Sequence, residues 1–164
     1  MAVCVCPVSV SVETPLQDDV RALIEGLNAH LLPLSPVEFQ FKMSAQEMAG
    51  EDTLVFVARD DSGAAVGLGA LKSHGNVGGE ELGEVKRMFT LPAVRGQRVG
   101  VALLEAIIGK AKELGHSRLK LETGIGEGYG GAWRLYERNG FVRCGAFLDY
   151  PDSGYSAFFD RELG

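Results

Sequence analysis

The amino-acid sequence predicts an α+β domain, on three observations. From Glu84 to Gly115 an apolar-rich strand passes through a short turn holding Pro92 and Gly96 into a long amphipathic helix. The apolar runs Thr53 to Arg59 and Ala64 to Leu71 flank Asp60-Asp61-Ser62-Gly63, a hairpin signal. Val8, Val10 and Val12 alternate with Ser9 and Ser11, as in a half-buried strand.

The remaining elements follow in order. Thr14 reads as a helix N-cap, with Pro15 at the first helical position and Gln17 completing a capping box. Val20, Leu23, Ile24 and Leu27 form one face of that helix, which ends before Pro33. Ser44-x-x-Glu47 predicts a second capping box on a shorter helix. Ser73 to Gly83 reads as a mobile, Gly-rich polar loop at the mouth of a binding site, with His74 as a solvated or a functional residue. In the long helix Leu103, Leu104, Ile107, Ile108 and Ala111 repeat at helical spacing, and Gly115 stops it. A strand from Arg118 to Thr123 and a helix from Ala132 to Asn139 come next. Short strands at Val142 to Cys144 and Tyr155 to Asp160, joined by a Pro-Asp-Ser-Gly turn, complete the sheet.

At 164 residues the chain suits one domain, 1–164, and is too short for two. Met1 to Val12 lacks a basic start and a long apolar core, so no signal peptide is expected, and no run approaches a membrane span. Cys4, Cys6 and Cys144 are odd in number and lack metal-ligand spacing; free thiols in a reducing cytoplasm are expected, with no metal. The net charge of −6 is unevenly spread. Lys86 to Lys120 carries eight Lys/Arg against two Asp/Glu, whereas Met1 to Val85 carries four against thirteen. The basic segment suits a polyanionic ligand. The acidic half suits a cationic acceptor, or simply a soluble surface. Neither a nucleic-acid nor a membrane partner is expected.

Arg95-Gly96-Gln97-Arg98-Val99-Gly100-Val101-Ala102 lies between strand and helix. A Gly-bearing loop opening into a helix exposes backbone N–H groups at the positive end of the helix dipole, and two arginines flank them. That is an anion site, with a pyrophosphate as its natural occupant. Gln97 to Ala102 also resembles the Q/R-x-x-G-x-G/A signature of the GNAT superfamily of acyl-CoA-dependent N-acetyltransferases. Leu135-Tyr136-Glu137-Arg138-Asn139-Gly140-Phe141 resembles the family's L-Y-E-x-x-G-F segment. The likeness is specific from Glu84 to Phe141 and thins towards the N-terminus.

The resemblance implies a mixed, centrally splayed sheet of about seven strands with helices on both faces. It also implies transfer of an acetyl group from acetyl-CoA to a primary amine of a small molecule or protein, and it allows a homodimer. The loop Arg95 to Ala102 would hold the cofactor. Main-chain N–H groups at Met88, Phe89 and Thr90 would face the pantetheine and the thioester carbonyl, where one well-aimed donor is worth about 2.7–4 kcal/mol. The strand's uneven alternation points to a bulge near Arg87 or Met88, as a splayed strand needs. Tyr136 would protonate the departing thiolate; the competing reading is a core tyrosine. Glu84 or Glu122 would take the amine's proton, Glu84 first, unless each is paired with Lys86 or Lys120. Phe39 and Phe41 are acceptor-pocket or core residues, and Tyr150 and Tyr155 are further acceptor-side candidates.

Gly126-Glu127-Gly128-Tyr129-Gly130-Gly131 matches a dinucleotide fingerprint, but too little chain follows for a doubly wound sheet. The family often places Asn where Tyr129 stands, so Tyr129 or Trp133 would pack against the cofactor instead. Two readings compete with the enzyme: a non-catalytic acyl-CoA-binding regulator on the same fold, and a nucleotide-dependent oxidoreductase using the glycine run.

Overall fold

The computed structural model describes residues 7–164; the readings of Cys4 and Cys6, and of the first half of Met1 to Val12, lie outside them. Seven strands form one sheet in the order β1-β2-β3-β4-β5-β7-β6. They are β1 (Val8–Val12), β2 (Thr53–Asp60), β3 (Ala65–Val77), β4 (Glu80–Thr90), β5 (Arg118–Gly124), β6 (Val142–Cys144) and β7 (Ser156–Glu162). The helices are α1 (Asp18–Leu31), α2 (Ala45–Met48), α3 (Val99–Glu113) and α4 (Gly130–Arg138). Every pairing is antiparallel except β4 with β5, and that parallel ladder covers only Leu82 to Glu84 against Arg118 to Lys120. Beyond Glu84 the two strands part. With a single parallel pair, the sheet is not doubly wound, and the glycine run after β5 serves no dinucleotide fold.

The two faces have separate cores. On one, Val20, Leu23, Ile24 and Leu27 of α1 pack on Val55, Val57, Leu68, Ala70 and Phe89. On the other, Leu103, Leu104 and Ile107 of α3 are fully buried over Val85, Leu119 and Leu121. Burial of each such side chain contributes roughly 1.5–3 kcal/mol, which anchors α3 beside the parted strands. The bulge lies where the strand's mixed faces suggest. The β3–β4 register shifts between Leu68/Phe89 and Ala70/Lys86, and Arg87 has φ 57°. Opposite it, Met88 lies so close to Gly69 that a Cβ there would meet its sulfur at 2.4 Å. Val85 and Met88 face the α3 core, whereas Lys86 reaches Tyr150 and Arg87 reaches Asn28 of α1. One extra residue thus turns two successive cations to the α1 face.

Two expectations are corrected. α1 begins at Asp18 rather than at Pro15: Thr14 Oγ1 accepts from Leu16 N, and the Gln17 side chain donates to Thr14 O and Glu13, making a separate turn before the helix. Ser73 to Gly83 is not a loop but a hairpin, because β3 and β4 pair out to Val77 and Glu80 around Gly78-Gly79, both with positive φ. The Ser44–Glu47 capping box forms with both of its hydrogen bonds.

Candidate active site

A cavity of about 790 Å³ runs from the start of α3, along the parted edge of β4, to the connection between α1 and α2. At one end α3 starts on Arg98, which is left-handed (φ 65°) and gives no side-chain cap. The N–H groups of Gly96, Arg98, Val99, Gly100 and Val101 have no hydrogen-bond partner among the described residues. An uncapped helix start with Arg95 and Arg98 beside it fits a pyrophosphate. Gln97 and Ala102 stand apart from this set. Their N–H groups bond Val94 O and Arg98 O, and neither residue lines the cavity.

Along β4, Leu91 N donates to Val66 O. By the alternation of an antiparallel ladder, Phe89 shares that bonding with β3 and the Thr90 N–H turns to the parted side, while the bulge interrupts the alternation at Met88. Phe89 contributes its ring instead, buried on the α1 face with His30 at 6.2 Å and Arg95 at 5.5 Å. This edge is open because β5 has diverged, so a slender chain can pair there as a strand would.

Tyr136 lines the cavity from α4, 6% exposed, with no hydrogen bond to its hydroxyl among the described residues. Burial pushes its pKa well up, and the Glu122 charge adds to that, so the phenol keeps its proton across the neutral range. Trp133, one turn away, does not line the cavity. Its indole donates to Gly124 O at 2.9 Å and its ring packs on Phe159, with Arg143 above it. Tyr129 does line the cavity, with its ring so tight against Gly124 that a Cβ there would be 2.1 Å away. Its hydroxyl bonds Ser35, tying the start of α4 to the segment after α1.

The two carboxylates differ sharply. Glu84 is only 2% exposed and holds three donors: His74 Nε2 at 2.9 Å, Lys86 Nζ at 3.3 Å and the Tyr150 hydroxyl. Burial pushes its pKa up, but the His74 hydrogen bond, the Lys86 charge and the Tyr150 hydroxyl outweigh it, and the net pKa is below the usual carboxylate range. Both the crowding and the low pKa work against proton abstraction. Glu122, on β5 across the slot, accepts among the described residues only from Ser156 Oγ, and burial leaves its pKa raised. A raised pKa with a free oxygen suits a general base.

His74 was legible only if Gly78-Gly79 had been read as a hairpin turn, which brings it beside Glu84. Phe39 and Phe41 both line the cavity's α1 end; Tyr155 stacks on Phe39 at 4.9 Å without lining it. Among the described residues no group of His, Cys, Asp and Glu is arranged to hold a metal, and no helix is long and apolar enough to cross a membrane.

Comparison with known proteins agrees with this geometry. The model of the acetyltransferase (GNAT) domain matches residues 51–143. An IAA acetyltransferase of Azospirillum brasilense is 40% identical over 156 residues, covering 95% of this chain and 98% of that one. The uncharacterized N-acetyltransferase YsnE of Bacillus subtilis is 30% identical over 87% of this chain and 93% of its own. The crystal structure of a Klebsiella pneumoniae protein, assigned as an acyl-CoA N-acyltransferase, superposes with a TM-score of 0.75 at 31% identity, covering 96% and 98% of the two chains. The chain therefore belongs to the GNAT family of acetyltransferases.

Proposed function

We propose that the protein moves the acetyl group of acetyl-CoA onto a primary amine by direct attack, within the slot between β4 and β5. The observation carrying this reading is the junction of two features in one cavity: five N–H groups at the start of α3 without a partner among the described residues, and the buried side chain of Tyr136. The amides of Gly96, Arg98, Val99, Gly100 and Val101, with Arg95 and Arg98, take the pyrophosphate. The N–H groups of Met88 and Thr90 bind and polarise the acyl chain's carbonyls. Tyr136 donates the proton that the leaving sulfur needs. Glu122 replaces Glu84 as the group that accepts the amine's proton, and Glu84 serves to fix Lys86, Tyr150 and His74. Attack needs a neutral amine, so a carboxylate with a raised pKa and a free oxygen is the better acceptor.

The test is thiol release from acetyl-CoA in the presence and absence of a panel of primary amines, with mass spectrometry of the products. Amine-dependent release with an N-acetylated product supports the proposal. Tight calorimetric binding of acetyl-CoA without transfer to any amine would refute it in favour of an acyl-CoA-binding regulator.

A further inference from the structure

The charge balance inside the cavity is uneven in a way the acetyl transfer does not explain. Arg87 is only 8% exposed and lines the cavity on its α1 side. Its Nη2 donates to Asn28 Oδ1, Nε is buried with no partner, and no carboxylate among the described residues forms an ion pair with it. Burial alone lowers its pKa, to about 10, with no acid nearby to offset it. A guanidinium withdrawn from water without a counter-charge is costly, and such a residue persists where something repays the cost. Its neighbour shows what satisfaction looks like: Lys86 is held by Glu84 and the Tyr150 hydroxyl. The strain is local too, since Arg87 has φ 57° at the bulge that turns it inward.

Arg87 lies on the face covered by α1, bound to Asn28 of that helix, whereas Arg98 stands at the start of α3 and Arg95 lies between them, over the Phe89 ring. We infer that Arg87, set by the β4 bulge and braced by Asn28, is a specificity-determining residue that takes a carboxylate of the acceptor, so that the amine acetylated belongs to an amino acid or a related aminocarboxylate. The fork of the guanidinium still has N–H groups to offer, which is the arrangement that binds a carboxylate through two parallel hydrogen bonds. This rests on the proposed acetyl transfer for the reaction, but the carboxylate site itself does not depend on turnover.

Two arms keep the two readings apart. In the first, the wild-type protein is assayed with acetyl-CoA and the common α-amino acids, β-alanine and 4-aminobutyrate, each beside its methyl ester. At least one free acid should exceed its ester roughly 10- to 100-fold in kcat/KM, the discrimination a charge-assisted bidentate contact supplies. Arg87→Met should erase that preference through KM while leaving the calorimetric Kd for acetyl-CoA unchanged, and Arg87→Lys should restore part of it. In the second arm, N-acetyl amino acids and their amides are titrated by calorimetry into the CoA-loaded protein. Binding of the acids but not the amides, lost in Arg87→Met, supports the site even if no amine is acetylated. Esters and acids used equally well by the wild type would overturn the inference while leaving amine acetylation standing. So would a loss of acetyl-CoA affinity in Arg87→Met without any change in acceptor preference, which would assign the guanidinium to the cofactor.

Discussion

Replacing Glu122 and Glu84 in parallel separates catalysis from structure, because the two carboxylates are held in opposite ways. Glu122 has a raised pKa, so its ionised form is disfavoured by the fold. The stability it contributes is present below the unfolded carboxylate range and is lost as pH rises through its folded pKa. Glu122→Gln removes that cost and should leave stability at neutral pH unchanged or slightly higher. As the loss of a general base, it should lower kcat/KM by roughly 10²–10⁴ and flatten the wild-type rise with pH. Glu84 is the reverse case. Its pKa is depressed, so its contribution is present above the unfolded range and lost as pH falls through the folded pKa. Glu84→Gln leaves Lys86 without its buried counter-charge and should cost about 3–5 kcal/mol. Thiol-release kinetics from pH 5 to 9, on an amine the protein acetylates, and urea unfolding at neutral pH read both quantities. A Glu122→Gln variant with wild-type activity throughout, when chemistry is rate-limiting, would refute the assignment. A folded Glu84→Gln variant inactive mainly at low pH would return the role to Glu84.

Three further outcomes are expected. Gly100→Glu should abolish acetyl-CoA binding by calorimetry in a folded protein, because a Cβ there already touches Leu135 at 3.3 Å and the carboxylate is forced into the cavity. Tyr136→Phe should lower kcat by roughly 10–10³ with little change in acetyl-CoA affinity or thermal stability, since the hydroxyl has no hydrogen bond to lose among the described residues. Glu13, held at a pKa of about 2 chiefly by its Arg59 hydrogen bonds, contributes stability that is lost as pH falls from about 4.5 to about 2. Arg59→Met should flatten acid unfolding in that window, followed by circular dichroism.

What the chain shows by periodicity, it shows well. The apolar set of α1 is its buried set residue for residue, and that of α3 is buried with Val99 added, because each helix lies on one face of the sheet and needs one stripe. The bulge near Arg87 was legible because an unmixed face cannot hold Glu, Lys, Met and Thr together. The directions of side chains around it were not. A one-residue shift decides which of Lys86, Arg87 and Met88 faces which core, and it depends on the pairing partner rather than on the strand's own residues. The same holds for His74, whose nearness to Glu84 follows from a hairpin register. Trp133 illustrates the limit on a short helix: its neighbours in sequence line the cavity, while its own position faces Gly124 and Phe159.

Charge is where reading along the chain and reading across the fold part most. The acid-rich first half suggested a cationic acceptor, yet several of its acids are engaged elsewhere and only Glu84 of them lines the cavity. Glu13 and Asp19 both hold Arg59 at 2.7 Å, Glu80 holds Arg118 at 2.7 Å, Glu47 closes the α2 capping box, and Asp60 ties the β2–β3 turn. The cavity itself is lined by seven Lys/Arg and only two carboxylates, of which Glu84 is already paired with Lys86. Part of that excess is assigned by the proposed function to phosphates at the start of α3, and the carboxylate proposal assigns Arg87 to the acceptor. A cationic acceptor would have to enter past this field with a single carboxylate of raised pKa to meet it. An aminocarboxylate enters with the field, leaves its carboxylate on Arg87 and gives up its ammonium proton to Glu122. On the carboxylate proposal the acceptor is a zwitterion whose carboxylate meets this field, and rising ionic strength should raise its KM but not that of its amino ester, which lacks the carboxylate.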